Sequence, residues 1–303
     1  MIKGLRNGKE AGLVSDFGSS AVRQRLLAEE LRRLRRRARF TGKDVAVRFG
    51  WSEAKLSRIE NGLARVKRSD LDAFMDLYGV DESHRSELIA LAEESREADP
   101  LDELERDLPK GHARIVAAER DAEAIWNWEP QVIPGLLQTE DYTRAVLQPW
   151  PAIFASPPAE TERRVETRLL RQRVLTREPP VEASFVIDES VLIRGFASQP
   201  VMHDQLAHLI DISEHPTFEL RIVALAGRQV IATGAFVYYR FKRIHGVLPP
   251  STVALEHLEA TTFIESEQDV NAYQVMFNEL RATSLDPQAS RDVIARVARD
   301  TWR

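Results

Sequence analysis

Basic side chains are concentrated between residues 32 and 39. Six of these eight positions are arginine. Guanidinium groups bind phosphate oxygens through a planar fork of donors. A helix C-terminus favours nearby cations, but it does not need so many. We therefore predict that this cluster contacts a phosphate backbone; the alternative is a solvated basic helix face. The predicted contacts from the cluster are Arg35, Arg36, Arg37 and Arg39.

Residues 41–62 carry the signals of two short helices joined by a tight turn. Thr41 and Asp44 have the spacing of a capping box, and Ser52 can cap the second helix. Gly50 lies at the turn, where a positive φ costs glycine least. This spacing is typical of a helix-turn-helix, whose second helix enters the major groove of DNA. An ordinary helical hairpin is the alternative.

The first residues of such a second helix would read base edges. Glu53 suits a cytosine amino group, Ala54 a thymine methyl and Arg58 a guanine. Glu53 could instead stabilise the positive end of the helix dipole. Phosphate contacts position a protein without reading sequence. For that role we predict Thr41, Lys43, Lys55, Ser57 and Asn61.

Length and charge indicate two domains. The chain has 303 residues, more than one domain usually holds. Residues 1–80 contain 18 Lys and Arg against 10 Asp and Glu, whereas the remainder contains 24 against 37. The basic excess therefore accompanies the helix-turn-helix. We predict an α+β protein with a flexible tail (1–19), an all-α five-helix repressor-like domain (20–98), a linker (99–110) and a mixed domain with a small sheet and several helices (111–303).

Hydrophobic periodicity and proline positions predict the elements of this second domain. The predicted helices span about 111–125, 139–147, 158–176, 200–213, 269–283 and 287–302. The predicted strands span 183–187, 219–225, 235–241 and 252–256. In the first domain, we expect Ser69 to cap the helix that ends at Gly79.

Two parts of the chain resemble known families. Residues 57–62, S-R-I-E-N-G, resemble the end of the second helix in Xre-family helix-turn-helix proteins. Residues 129–147, with the core P-G-L-L-Q-T, resemble the signature of the Scr1-type regulators of actinobacteria, in which an Xre-like head precedes a DUF5753 domain. Residues 168–176 and 188–192 extend the similarity, which covers about residues 20–285.

The resemblance implies a transcription regulator with an antitoxin-like role, bound to a small partner protein encoded nearby. This chain departs from the family pattern at two places. Gly42 stands where the family commonly has glutamine, and residues 254–259 replace a strand that usually ends Tyr-Leu/Ile-Glu. Gly42 has no side-chain amide that could bind the DNA backbone. We therefore expect this protein to depend more on its arginines for backbone binding.

Nothing in the sequence indicates catalysis. Cysteine is absent, which excludes thiol nucleophiles and thiolate zinc sites and suits a reducing cytoplasm. The seven histidines form no H-E-x-x-H motif. Asp188 and Glu189 could imitate a catalytic pair, but adjacent strand residues point to opposite faces. We expect a cytoplasmic protein that is not an enzyme, with no metal, no cofactor and no membrane span.

A ligand-sensing role is a further hypothesis. Trp126, Trp128, Tyr142 and Trp150 flank the P-G-L-L-Q-T segment, and Gln138 could supply a polar anchor. Such a set fits a small-molecule pocket, a packed core or a docking surface for a partner protein. Because one helix-turn-helix buries little surface on DNA, we also predict a homodimer that binds double-stranded DNA with two-fold symmetry.

Overall fold

The computed structural model describes residues 20–96, 112–148, 158–226, 234–243, 247–257 and 261–303. The first of these ranges, called the head below, consists of five helices, as predicted. They are α1 (Ser20–Arg37), α2 (Gly42–Phe49), α3 (Glu53–Glu60), α4 (Arg68–Tyr78) and α5 (Glu82–Glu94). The predicted flexible tail (1–19), the linker (99–110) and Trp150 lie outside the described residues.

The caps of the helix-turn-helix are those that the sequence predicts. The Thr41 side chain accepts a hydrogen bond from the Asp44 amide, and the Asp44 carboxylate accepts one from the Thr41 amide. Gly50 ends α2 with a left-handed φ of 63°. The predicted cap at Ser69 is wrong: Lys67 holds the extended N-cap position and Ser69 lies inside the first turn of α4.

The head closes over one apolar core. Leu31, Val45, Leu71 and Phe74 are fully buried in it. Trp51 packs edge-on against Phe74, with ring centroids 5.5 Å apart. Trp51 therefore belongs to the edge of this core. The buried face of α3 therefore points inward, which leaves its opposite face to solvent.

The C-terminal domain, residues 112–303, mixes helices with six strands in the described part of the chain. Its helices are α6 (His112–Asp121), α7 (Glu140–Leu147), α8 (Pro158–Arg171), α9 (Ser190–Ile193), α10 (Gln199–Ile212), α11 (Glu267–Thr283) and α12 (Pro287–Thr301). Its strands are β1 (Ala122–Glu129), β2 (Glu182–Asp188), β3 (Phe218–Val223), β4 (Phe236–Phe241), β5 (Thr252–Glu256) and β6 (Thr261–Ile264).

The strands form one mixed sheet in the order β3-β2-β1-β4-β5-β6. β1 pairs parallel to β2, and β2 parallel to β3, whereas the β4, β5 and β6 pairings are antiparallel. The four predicted strands are present. The predicted helix over 111–125 is wrong, because the helix ends at Asp121 and residues 122–129 continue directly as the central strand.

Two apolar layers cover the sheet. One face packs against α7, α10 and α12, with Ile125, Phe185 and Tyr239 buried between them. The other face packs against α11, with Trp126, Tyr238 and Phe277 in its layer. Side chains of β1 alternate between these layers, as a strand buried on both faces requires.

Candidate nucleic-acid interface and interior cavity

The outer face of α3 carries the side chains predicted to read bases. Glu53, Ala54 and Arg58 are exposed, and so is Ser57 between them. These positions share one side of the helix because they follow its period of 3.6 residues. Leu56 and the other inward residues fill the core behind them. The structure thus brings together the three predicted base contacts on one solvent-facing surface, the recognition face.

Local structure fixes the direction of this face. Ser52 Oγ accepts a hydrogen bond from the Lys55 amide at 3.2 Å, which caps α3 at its N-terminus. At the other end, the Asn61 side-chain amide donates to the Ser57 carbonyl at 2.7 Å. Both helix ends therefore have partners for backbone groups that would otherwise lack them. The short helix is held as one rigid unit.

A buried ion pair ties α1 to the end of α3. The Arg35 guanidinium donates to both oxygens of Glu60, at 2.7 Å from Nε and 2.8 Å from Nη2. Arg35 also donates to the Phe40 carbonyl at 2.9 Å. Burial alone would lower the pKa of Arg35, but its bond with Glu60 raises it overall. Arg35 therefore has an interior role, and its predicted phosphate contact stays a prediction.

Two further predicted phosphate contacts are also engaged within the head. Lys55 Nζ lies 3.4 Å from the centre of the Trp51 ring and 3.3 Å from a carboxylate oxygen of Asp70. Asn61 accepts a hydrogen bond from Arg32 as well as donating to Ser57. A phosphate would have to compete with these partners. Their roles at DNA remain predictions.

The remaining predicted phosphate contacts are exposed. Arg36, Arg37 and Lys43 present their side chains to solvent near the start of the helix-turn-helix. Thr41 is exposed as well, although its hydroxyl serves the capping box. Arg39 is exposed and adopts a left-handed backbone with φ 61°. Such a conformation is costly for a residue with a side chain, and it directs the chain from α1 into the turn before α2.

Three basic residues were missed by the sequence analysis. Arg48 lies at the end of α2, while Arg65 and Lys67 lie between α3 and α4, and all three are exposed. The overall basic excess of residues 1–80 was the signal that could have led to them. They add to the exposed basic residues of the head.

The head contacts the C-terminal domain away from the recognition face. Arg25 Nη2 lies 3.1 Å from a carboxylate oxygen of Glu265, which also pairs with Arg114. Val247 packs against the head core. A cleft between Arg25 and Thr252 continues this contact. The C-terminal domain therefore meets α1, and Glu60 and Asn61 at the end of α3 line the same cleft. The recognition face itself stays exposed.

The sheet separates the aromatic set that the sequence analysis grouped together. Trp126 stacks on Tyr238 at 4.6 Å in the layer beneath α11, and Trp128 is buried in the same layer. Tyr142 is fully buried on the opposite face, where its hydroxyl accepts from the Ile133 amide at 3.3 Å. Because the two tryptophans and Tyr142 lie on opposite faces of β1, they cannot line one pocket. They are core residues.

Gln138 borders a cavity of about 450 Å³ in the C-terminal domain, whose wall has both polar and apolar side chains. Its side chain donates to the Ile133 carbonyl at 2.6 Å and accepts from Arg168 at 2.9 Å. The cavity lies between β1, the P-G-L-L-Q-T loop, α8 and the ends of β4 and β5. Its ionisable lining residues are His112, Glu119, Glu129, Arg164, Arg168, Arg171, Glu256 and His257.

Two arginines of α8 differ in how they are paired there. Arg171 makes a bidentate ion pair with Glu119, at 2.8 and 2.7 Å. Arg168 forms no ion pair with any described residue; Gln138 is its hydrogen-bond partner. Burial, and then repulsion by Arg171, lower the pKa of Arg168 to about 10, so it stays charged at neutral pH. Among the described residues that line the cavity, Arg168 is thus a cation with no carboxylate within ion-pair distance.

Burial also shifts two other groups in the cavity toward neutrality. It raises the pKa of the Glu129 carboxyl to about 7. It lowers the pKa of His112 to about 4. At neutral pH the imidazole is therefore uncharged, and a large share of Glu129 carries a proton that it can donate.

The suspected carboxylate pair after β2 has ordinary roles. Asp188 accepts hydrogen bonds from the amide and hydroxyl of Ser190. Glu189 accepts from the Leu225 amide at 2.9 Å and pairs with Arg296 at 3.1 Å. Across the described ranges, no three His, Cys, Asp or Glu residues are placed to hold a metal ion. None of the helices in these ranges is long and apolar enough to cross a membrane.

Comparison with known families agrees with this division of the chain. Residues 26–88 match the model of a helix-turn-helix domain, which is an element of DNA-binding regulators. Residues 112–296 match the model of a domain of unknown function, DUF5753. Neither a curated protein nor a solved structure matches the chain. Because the second match covers more than half of the sequence, the chain belongs to the DUF5753 family, with a helix-turn-helix domain preceding the family domain.

Proposed function

We propose that the protein is a sequence-specific transcription regulator of the Xre type that acts on DNA in the cytoplasm. The observation that carries this proposal is the recognition face itself. Glu53, Ala54 and Arg58 stand exposed on a capped helix of a helix-turn-helix domain. The same head exposes arginines and lysines, which can neutralise phosphates. In this role α3 lies in the major groove and the exposed end of α1 lies along the backbone.

We further propose that it binds as a homodimer. A single head offers three candidate base contacts, which is few for high specificity. Two heads related by two-fold symmetry would double them and would require half-sites about one helical turn apart. The C-terminal domain modulates this binding in our proposal. Its support is the contact of Glu265 with Arg25 on α1, the helix that also holds Glu60 of α3 through Arg35.

The test is to select bound fragments from genomic DNA with the purified full-length chain. We expect an enriched sequence made of two inverted half-sites. Sedimentation of the complex should give two chains per fragment. If the bound fragments share no sequence, the protein does not recognise a specific DNA sequence. If sedimentation gives one chain per fragment, the protein does not bind as a dimer.

A further inference from the structure

The cavity beside Gln138 in the C-terminal domain has the volume and the surface opening of a small-molecule binding site. Its volume of about 450 Å³ falls in the range of small-molecule pockets, roughly 300–1,000 Å³. Exposed Gln131, Glu256 and His257 lie among its lining residues, so it reaches the surface. Three residues of the P-G-L-L-Q-T loop, Gly135, Leu136 and Gln138, form part of its wall.

Arg168 lines this cavity and has no ion-pair partner among the described residues. Arg168 is half-buried in the cavity wall. A charge that is partly removed from water normally has a partner of opposite sign, because its desolvation is costly. Arg171, one turn away on α8, has such a partner in Glu119, but Arg168 has a neutral amide instead. Its guanidinium is therefore available for an anion.

We propose that this cavity binds a small organic carboxylate, whose carboxylate group pairs with the guanidinium of Arg168. The planar fork of arginine matches a carboxylate in a bidentate arrangement. The inference goes beyond DNA binding and does not depend on it.

The remaining lining defines the ligand more closely. A phosphate dianion would bring two charges to one free cation, beside Glu129 and Glu256, so a singly charged carboxylate is the better match. Asn127 donates its amide hydrogens to the Trp128 and Phe236 carbonyls, which leaves its side-chain oxygen as an acceptor. This oxygen and the Glu129 carboxyl can both form hydrogen bonds with a ligand. The site therefore favours a ligand that also carries a hydroxyl or amino group.

Apolar side chains complete the wall. They come from the loop, α7 and β4, and they are Val132, Leu136, Val146 and Val237. An apolar body would displace water from this surface on binding. The ligand class is therefore a hydroxy- or amino-substituted carboxylic acid with an aliphatic or aromatic body.

The experiment measures binding to the full-length chain, without DNA, by titration calorimetry and thermal shift. The probes are phenyllactate, phenylalanine, 2-hydroxyisocaproate and leucine, each beside its carboxamide, with inorganic phosphate as a separate probe. We expect at least one acid to bind and to raise the melting temperature, while its carboxamide does not. The hydroxy and amino arms identify which substituent the site prefers.

Variants locate the site. Arg168→Gln should weaken binding of that acid by about tenfold or more, because it removes the cation but retains a donor. Arg163→Gln, which changes an exposed arginine on the same helix, should leave binding unchanged. Val146→Phe fills the cavity without changing a charge and should also abolish binding, so it decides the case if Arg168→Gln does not fold.

The contrary results are equally specific. The proposal is overturned if no acid binds at millimolar concentration, if the carboxamides bind as well as the acids, or if phosphate alone binds. Binding that survives both Arg168→Gln and Val146→Phe places the ligand elsewhere. None of these results bears on DNA recognition, which is measured separately.

Discussion

Arg35 and Glu60 form a bidentate ion pair that joins the last turns of α1 to the last residue of α3, with donor–acceptor distances of 2.7 and 2.8 Å. Glu60 is 5 % exposed, so the pair is largely removed from water. It connects the arginine cluster with the recognition helix. Two members of the cluster, Arg35 and Arg32, thus position the end of the helix, while Arg36, Arg37 and Arg39 are exposed and available for phosphates.

The first prediction concerns the stability of the head. Arg35→Ala removes the bidentate partner of the buried Glu60 carboxylate and leaves it only Arg32, whose Nε lies 3.9 Å away. Loss of a buried ion-pair partner typically costs up to about 3–5 kcal/mol of unfolding free energy. Arg36→Ala, on the exposed side of the same helix, should change it by no more than about 0.5 kcal/mol. Urea unfolding of the full-length variants measures both. Equal losses would mean that the pair has no special structural role.

The second prediction separates base reading from phosphate binding. Arg58→Ala should weaken binding to the selected DNA site by about 1–3 kcal/mol and relax the preference at one base pair. Arg37→Ala should weaken binding to all sequences alike and lower the salt dependence by about one phosphate contact. Fluorescence anisotropy on the selected and a shuffled fragment compares them. A uniform loss for Arg58→Ala would reassign that residue to the backbone.

The third prediction concerns the left-handed residue at the end of α1. Arg39 has φ 61°, a conformation that disfavours residues with a side chain. Arg39→Gly should relieve this cost and, after the greater chain entropy of glycine, stabilise the head by about 0.5–1 kcal/mol. It should also weaken DNA binding, since a cation is lost. Arg39→Lys is the control and should retain both the backbone strain and the DNA affinity. If Arg39→Gly does not raise the free energy of unfolding, the left-handed conformation carries no strain.

The fourth prediction concerns pH and the cavity. Burial raises the pKa of Glu129 to about 7, above its unfolded value near 4.5. The folded chain therefore binds more protons than the unfolded chain between these values, and the free energy of unfolding falls as pH rises through this window. The glutamine of Glu129→Gln cannot ionise, so the free energy of unfolding of this variant does not fall with pH for this reason.

Relative to wild type, Glu129→Gln should therefore gain stability between pH 5 and pH 8, on the order of 1–3 kcal/mol. His112 shifts the other way, but it is present in both proteins and its contribution cancels in the difference. Urea unfolding at the two pH values measures the gain. Glu166→Gln, on the exposed side of α8, is the matched control. A difference that does not change with pH would mean that Glu129 is as well solvated as in the unfolded chain.

Local signals predicted the helix-turn-helix well. Thr41, Asp44, Gly50 and Ser52 act through contacts within a few residues, so their spacing in the sequence is enough to place two helices and a turn. The pairing of Arg35 with Glu60 spans 25 residues. Nothing local distinguishes Arg35 from Arg36, which is why the cluster was predicted as a single phosphate-binding group.

The central strand could not be predicted in the same way. Residues 122–129, A-E-A-I-W-N-W-E, follow a helix without a turn residue, and their alanines favour continuing it. Pairing with β2 and β4 on both sides overrides that preference. The sequence does not identify residues 122–129 as a strand, so it does not show that their side chains alternate between two faces of a sheet. For this reason Trp126 and Trp128 were grouped with Tyr142. The role of Gln138 as a polar anchor for a ligand stays a prediction, and its partner Arg168 is 30 residues away in the sequence.

The most direct test of the account compares the affinity of the purified full-length protein for its selected fragment and for a shuffled fragment over a range of salt concentrations. We predict binding that is about 10³-fold or more tighter to the selected fragment, with both affinities falling as salt rises. A protein that ignores DNA of every sequence even at low ionic strength would contradict the assignment of α3 as a recognition helix.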